Sequence, residues 1–191
     1  MQEVTLEIDG MKVTIEDGKT ILEAAKKAGI PIPTLCYHEE LEPFGACRFC
    51  MVEITKGKRK RLVASCVYPA EDGLIVKTNT ERVKEIRRMI LELLLPIAPA
   101  GPLRELAKRY GVEKSRFQSD EIRPTHCTLC GMCVRYCNEV MKYDAVSFVG
   151  RGVYKAVALT PEARDLCVFC RKCYTICEAG RFPMLAEEYR I

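Results

Sequence analysis

The chain begins with an alternation of apolar and polar residues that predicts β-strands. In VTLEIDGMKVTIEDG the alternation runs on both sides of Asp9-Gly10, which is typical of a β-hairpin. Thr20 and Glu23 have the spacing of a capping box, and the following ILEAAKKAG predicts a helix that Gly29 ends. MVEIT and RLVASC predict a second hairpin, and GLIVKTNT predicts a last strand. The first part of the chain is therefore expected to combine a small sheet with one helix.

The pattern becomes helical after residue 80. Thr80 is the expected N-cap of ERVKEIRRMILELLL, whose apolar residues form one face: Val83, Ile86, Ile90, Leu93 and Leu94. Pro96 ends this helix, PIAPAGP has the composition of a linker, and PLRELAKRYGV predicts a short helix that stops at Gly111. From about residue 120 a cysteine-rich pattern occurs twice. The stretch AVSFVGRGVYKAVAL between its two copies predicts a strand, a turn and a strand.

Composition adds twelve cysteines among 191 residues, which indicates disulfides, metal sites or clusters. The N-terminus lacks the features of a secretory signal, so we expect a reducing, cytoplasmic location in which disulfides are rare. The longest apolar stretch, MILELLLPIAPAG, is too short and too interrupted to enter a membrane as a span. The formal net charge of +4 counts every thiol as neutral, and thiolate-bound clusters would offset it, so no nucleic-acid partner is expected.

Each copy of the repeat has the cysteine spacing C-x2-C-x2-C-x3-C. Three thiolates two residues apart can bind three corners of a cubic iron–sulfur cluster, and in two-cluster ferredoxins the fourth cysteine of each run binds the other cluster. We therefore expect two [4Fe–4S] clusters, one held by Cys127, Cys130, Cys133 and Cys177, and the other by Cys137, Cys167, Cys170 and Cys173. Zinc is the main alternative, but its sites usually pair two C-x2-C motifs across a longer spacer.

The remaining four cysteines have the spacing C-x10-C-x2-C-x15-C: Cys36, Cys47, Cys50 and Cys66. Two strands, a helix and then a cysteine-bearing loop suggest a β-grasp ferredoxin that holds a [2Fe–2S] cluster. The first gap is longer than in the plant-type run C-x4-C-x2-C, so this is a variant of that motif. A zinc site is again the alternative.

Together, the β-grasp unit, the helix ERVKEIRRMILELLL, the segment PLRELAKRYGV and the double cysteine run resemble one family. It comprises the iron–sulfur N-terminal region of the large peripheral subunit of respiratory complex I, the equivalent region of iron-only hydrogenases, and the small diaphorase subunit of NAD-reducing hydrogenases and formate dehydrogenases. Such subunits connect a flavin-containing NADH module to a second catalytic module. Relatives typically carry a His-x3-Cys-x2-Cys-x5-Cys site before the PLRELAKRYGV-like segment, but LLLPIAPAGPLRELAKRYGV contains neither His nor Cys.

The expected fold class is α+β, in three parts. Residues 1–79 form a β-grasp [2Fe–2S] domain, residues 80–119 a helical linker without the His-Cys cluster, and residues 120–191 a bacterial-type ferredoxin domain with two [4Fe–4S] clusters. No nucleophile–base pair, phosphate loop, flavin site or nicotinamide site is visible, so the chain is expected to relay electrons without catalysing substrate chemistry itself. The resemblance implies two partners, a flavoprotein NAD(P)H dehydrogenase subunit and a subunit of hydrogenase or formate dehydrogenase type. A freely diffusing polyferredoxin is the alternative, and a redox-sensing regulator has less support.

Overall fold

The structure is a computed structural model that describes residues 2–117, 126–161 and 164–177. The chain divides into two compact units. The first unit contains Met1–Tyr37 and Pro43–Ile90, and the second contains His38–Glu42 and Leu91–Ile191. This division differs from the predicted boundary after residue 79, because the first unit continues into a helix as far as Ile90. The predicted boundary after residue 119 lies outside the described residues.

The first unit contains a mixed five-stranded sheet and helix α1. Its elements are β1 (Glu3–Ile8), β2 (Met11–Glu16), α1 (Ile21–Lys27), β3 (Met51–Lys56), β4 (Arg59–Ala64) and β5 (Ile75–Lys77). The strand order is β2-β1-β5-β3-β4. Strands β1 and β5 are parallel, and the other pairs are antiparallel. The α+β content and both predicted hairpins are therefore confirmed.

Local sequence signals account for the ends of these elements. Asp9 and Gly10 have φ values of +49° and +91°, which is the conformation that a two-residue hairpin turn with the correct twist requires. The Thr20 hydroxyl accepts from the backbone N–H of Glu23 at 3.2 Å, and the Glu23 carboxylate accepts from the Thr20 N–H at 2.8 Å. The predicted capping box at the start of α1 is thus present.

The core of the first unit lies between the sheet and α1. Alternate residues of β1 are buried, namely Val4, Leu6 and Ile8, as the period of a strand requires. Helix α1 contributes four buried side chains to the same core: Ile21, Leu22, Ala24 and Ala25. Cys50 and Cys66 also belong to this core. Two thiols are therefore fixed within well-packed apolar surroundings.

Helix α2 (Glu81–Leu94) begins where Thr80 accepts a hydrogen bond from the Val83 N–H at 3.3 Å, as predicted. Of the residues on the expected apolar face, Leu93 is 49% exposed. Val83 and Leu91 are fully buried, and Arg87 between them is only 3% exposed. These residues are four apart along the helix, so the buried stripe contains a charged residue that an apolar pattern does not reveal.

The described part of the second unit contains short helices and one hairpin. They are α3 (Pro102–Arg109), α4 (Met132–Arg135), which continues as a π-helical turn over Tyr136–Val140, β6 (Val146–Val149), β7 (Ala156–Leu159), α5 (Arg164–Cys170) and α6 (Lys172–Thr175). The predicted strand–turn–strand between the cysteine runs is confirmed. No helix in the described ranges is long and apolar enough to cross a membrane.

Candidate metal centres

The four cysteines of the first unit lie at the ends of its elements. Cys36 and Cys47 are on the segment between α1 and β3, Cys50 directly precedes β3, and Cys66 follows β4. Because Met51 of β3 pairs with Ala64 of β4, the hairpin places Cys50 and Cys66 at the same end. Their sulfur atoms are 3.3 Å apart, and both residues are almost fully buried.

Cys36 and Cys47 form a second pair of thiols. The backbone N–H of Cys47 donates to the Cys36 sulfur at 3.4 Å, and the N–H of Phe49 donates to the Cys47 sulfur at 3.4 Å. A hydrogen bond between the two thiols raises the pKa of Cys36 and lowers the pKa of Cys47 to about 6. One thiol of this pair therefore ionises readily while the other keeps its proton.

Cys50 and Cys66 show the same opposite shifts of their pKa values. Their shared hydrogen bond lowers the pKa of Cys50 to about 6 and raises the pKa of Cys66. Burial and the charges of Cys50, Cys36 and Cys47 raise the pKa of Cys66 further, so all four thiols are close enough to interact. A bound metal would replace the remaining protons, since metal ligands must be deprotonated.

The donor set suits metal ions held by pairs of thiolates. A tetrahedral ion with metal–sulfur bonds of about 2.3 Å holds its sulfurs roughly 3.8 Å apart, which is near the 3.3 Å between Cys50 and Cys66. All twelve cysteines of the chain are free thiols. No group of three or more His, Cys, Asp or Glu residues converges on a single-ion position in the part of the chain that the structure describes.

Two residues that sequence reasoning did not single out fix the main chain around Cys50. The N–H and hydroxyl of Ser65 donate to the Cys50 carbonyl at 3.2 and 2.9 Å. Arg87 donates from Nε to the Phe49 carbonyl at 3.2 Å and from Nη2 to the Met51 carbonyl at 3.1 Å. Ser65 directly precedes Cys66, and Arg87 lies four residues after Val83, but neither position alone predicts these hydrogen bonds.

The cysteines of the second unit influence one another's pKa values. Burial raises the pKa of Cys130, and the charges of Cys177 and Cys127 raise it further. Burial likewise raises the pKa of Cys133 to about 12, with contributions from Cys130, Cys173, Cys127 and Cys177. Cys133 is therefore near enough to be influenced by Cys127, Cys130 and Cys177 of its expected set and also by Cys173 of the other set.

A cavity of about 380 Å³ in the second unit is lined by four cysteines: Cys137, Cys167, Cys170 and Cys173. Burial raises the pKa of Cys167, and the charges of Cys137 and Cys170 add to this. Burial and the charges of Cys167, Cys170 and Cys137 raise the pKa of Cys173 to about 12. Apolar residues form much of the wall, including Val146, Val157 and Leu166. The structure thus also brings together the second expected set, Cys137, Cys167, Cys170 and Cys173.

Hydrogen bonds hold the cysteine-bearing helix of this unit in place. The Tyr136 hydroxyl donates to the Glu40 carboxylate at 3.0 Å, and Arg135 donates to the Glu42 carbonyl at 2.6 Å. Leu41 is buried against Met132 and Tyr136. The backbone N–H of Ala145 donates to the Cys137 sulfur at 3.2 Å. Cys133 and Cys137 are therefore carried by a well-anchored helix.

His126 directly precedes the first cysteine run. Its backbone has a φ of +51°, and its N–H donates to the Ile97 carbonyl at 3.0 Å. The Nδ1 atom of its side chain is buried without a hydrogen-bond partner among the described residues. Buried polar atoms normally have a partner, so this nitrogen suits a group that the adjacent thiols would bind.

Comparisons with known proteins identify the first unit. Residues 1–81 match the family described as a 2Fe-2S iron-sulfur cluster binding domain, so the chain carries a [2Fe–2S] domain. The structure is similar to a chain of the crystal structure of an NAD+-reducing [NiFe]-hydrogenase in the H2-reduced state. That similarity has a TM-score of 0.71 and 32% sequence identity, and covers 82% of this chain and 75% of the other.

Curated relatives extend this similarity over nearly the whole chain. The NADP-reducing hydrogenase subunit HndD of Solidesulfovibrio fructosivorans is 34% identical over 99% of this chain and 37% of its own length. The NADH-ubiquinone oxidoreductase 75 kDa subunit of Reclinomonas americana is 37% identical over 78% of this chain and 25% of its own length. The matched region is therefore only a minor part of each of these longer relatives. This chain belongs to the family of iron–sulfur subunits that includes the N-terminal region of the complex I large peripheral subunit and the corresponding subunits of NAD(P)-reducing hydrogenases.

Proposed function

We propose that this chain is an electron-relay subunit of an NAD(P)-linked oxidoreductase. The observation that carries the proposal is the convergence of thiols: Cys36, Cys47, Cys50 and Cys66 influence one another in the first unit, and Cys137, Cys167, Cys170 and Cys173 line one cavity of the second. When bound, iron–sulfur clusters would accept and pass single electrons. The chain's own residues supply the thiolates, the N–H donors to sulfur and the apolar surroundings.

Cys36, Cys47, Cys50 and Cys66 are the proposed ligands of the [2Fe–2S] cluster. Each of the two thiol pairs would bind one iron, since the members of each pair share a hydrogen bond that metal binding would replace. The N–H groups of Cys47 and Phe49 already point to ligand sulfurs and would help to stabilise the thiolates. Burial would keep water from the irons.

The two sets in the second unit are the proposed ligands of two [4Fe–4S] clusters. Cys127, Cys130, Cys133 and Cys177 would hold one, and Cys137, Cys167, Cys170 and Cys173 the other. The thiols of Cys133 and Cys173 stay protonated when no metal is present, because burial raises their pKa values to about 12. Cluster binding would convert them to thiolates and release the protons.

The proposed partners are a flavoprotein NAD(P)H dehydrogenase subunit and a subunit of hydrogenase or formate dehydrogenase type, in the cytoplasm. Support comes from the relatives, which are described as subunits of an NADH-ubiquinone oxidoreductase and an NADP-reducing hydrogenase. A relay subunit must exchange electrons with a protein at each end of its route. It should therefore purify with both partners in fixed stoichiometry.

The test combines metal analysis with affinity purification from anaerobically grown cells of the source organism. We expect about ten irons and ten sulfides per chain, from clusters of two, four and four irons. We also expect a flavoprotein to co-purify and to reduce the clusters when NADH or NADPH is added. Stoichiometric zinc without sulfide would contradict the cluster assignment. A fully loaded chain that purifies alone would favour a diffusible polyferredoxin.

A further inference from the structure

Arg87 is the buried charged residue of helix α2. It lies between Val83 and Leu91 on the buried stripe and is 3% exposed. An arginine side chain stays protonated in proteins, so a permanent positive charge lies inside the first unit. Arginine is almost never fully buried unless its donors have partners.

The partners that fix its guanidinium are main-chain carbonyls around Cys50. Nε and Nη2 donate to the carbonyls of Phe49 and Met51, the residues directly before and after this cysteine. Ser65 occupies the carbonyl of Cys50 itself with two further donors. Three consecutive carbonyls therefore accept hydrogen bonds, and two of the three are held by one side chain. This contact fixes both the backbone that presents Cys50 and the position of the charge.

The Arg87 guanidinium lies within roughly 10 Å of the Cys50 sulfur. It binds the carbonyls on both sides of Cys50, and covalent geometry limits how far the sulfur can be from them. Reduction of a [2Fe–2S] cluster adds one electron, which converts one ferric iron to ferrous iron and makes the site more negative by one charge. A fixed positive charge nearby stabilises that reduced state. For unit charges roughly 10 Å apart at an effective dielectric constant of about 20, this attraction raises the equilibrium constant for cluster reduction roughly tenfold.

We propose that Arg87 is a positioning residue of the [2Fe–2S] site, which fixes the main chain around Cys50 and, through its charge, favours the reduced cluster. This inference rests on the proposed ligation of the cluster by Cys36, Cys47, Cys50 and Cys66. In the proposed function the electron comes from a partner's reduced flavin, and in the test it comes from dithionite. Helix α2 then supports the [2Fe–2S] site, in addition to continuing the chain beyond the first unit's sheet.

The test compares Arg87→Lys with Arg87→Gln in the full cluster-loaded chain. Both substitutions remove the two-pronged guanidinium, but only lysine keeps the charge. The midpoint potential is measured by dithionite titration, following the [2Fe–2S] EPR signal at temperatures where [4Fe–4S] signals are broadened. In Arg87→Gln we expect the reduction equilibrium constant to fall about tenfold, a shift of about 59 mV for one electron. In Arg87→Lys we expect a change of less than about threefold, with an altered EPR line shape from the looser backbone.

Arg82→Gln is the matched control, since Arg82 is exposed on the same helix and its replacement should leave the potential and the line shape unchanged. Loss of the cluster in Arg87→Gln with retention in Arg87→Lys would also support the proposal, because charge is the difference between them. Equal potentials, or equal cluster loss, in the two Arg87 variants would overturn it. Absence of a [2Fe–2S] signal from the unaltered chain would instead refute the proposed ligation.

Discussion

At the residue scale, Gly131 shows how the first cysteine run makes its turn. It precedes α4 with a φ of +77°, a region that costs a residue with a side chain about 1 kcal/mol. A Cβ at this position would lie 3.1 Å from the Phe148 ring, which is itself covered by Lys155 at 4.1 Å. We expect Gly131→Ala to destabilise the second unit by about 2–3 kcal/mol, from backbone strain and overpacking together.

Gly111→Ala is the control for Gly131→Ala. Gly111 has a φ of +72°, but a Cβ there would meet no atom within 4 Å. It should therefore cost only the backbone part, about 1 kcal/mol. Thermal unfolding of the loaded protein, followed by circular dichroism, gives both changes. Equal changes in the two variants would show that the contact with Phe148 has no energetic weight.

Substitution of Cys137 tests whether the fourth cysteine of each run binds the cluster of the other run. If Cys137 and Cys167 bind the same cluster, Cys137→Ser combined with Cys167→Ser should lose no more iron than either single variant. About six of about ten irons would remain. Combining Cys137→Ser with Cys127→Ser should instead leave about two irons, because both [4Fe–4S] clusters would lose a ligand. Iron and sulfide analysis of the purified variants measures this directly.

The reverse pattern would contradict the proposed sets. Loss of two clusters in the variant that lacks Cys137 and Cys167, with loss of one in the variant that lacks Cys137 and Cys127, would mean that each run binds its own cluster. Single Cys137→Ser and Cys127→Ser variants serve as references for the iron lost by each substitution alone.

At the element scale, the strands and helix starts of the first unit followed from local sequence. Asp9-Gly10 and the Thr20 capping box act over a few residues, so their outcome does not depend on distant parts of the chain. The buried face of α2 could not be derived in the same way. Arg87 is buried because carbonyls 36 and 38 residues away accept its hydrogen bonds, and no local pattern contains those partners.

The capping box at α1 provides a test at this scale. Thr20→Ala removes the acceptor for the Glu23 N–H and should destabilise the first unit by about 1 kcal/mol. Thr20→Ser keeps a hydroxyl and should restore most of that loss. The measurement is urea unfolding of the first unit, monitored through the hydrogen exchange of strands β1 to β5. Equal stability of the alanine and serine variants would contradict the capping role.

At the scale of the whole molecule, the two units have different kinds of core. The core of the first unit is dominated by aliphatic side chains from the sheet and α1. In the described part of the second unit, the core around β6 and β7 contains three cysteines among its six buried residues: Cys127, Cys133, Cys137, Ala145, Val146 and Val157. The proposed metal ligands of the second unit are therefore also a large share of its apolar core.

Iron removal should consequently affect the two units unequally. After treatment with a chelator and an oxidant, we expect amides in 127–160 and 164–177 to lose most of their protection from hydrogen exchange, because metal binding and folding are coupled there. Strands β1 to β5 should keep more of theirs. Hydrogen exchange with mass spectrometry before and after treatment measures both, and uniform loss across the chain would contradict this expectation.

The three cysteine sets could be proposed from sequence because ligand spacing reflects the shape of the bound group. The structure places Cys137, Cys167, Cys170 and Cys173 around one cavity, and the division of the second unit's cysteines into two ligand sets stays a prediction. The supporting residues could not be assigned. Ser65 and Arg87 carry no spacing rule, and their role appears only once β4 and α2 are seen beside Cys50.

The cysteines of the two copies of the repeat differ in their exposure to solvent. In the first copy Cys127, Cys133 and Cys137 are buried and only Cys130 is partly covered, whereas all four cysteines of the second copy are partly covered, and Phe169 among them is 89% exposed. Oxygen attacks accessible thiolates first. In air, the purified protein should therefore release about four irons early, from the set that contains Cys167, Cys170 and Cys173, and the rest later. The oxygen tolerance of the whole chain would then be set by the more exposed half of a duplicated motif.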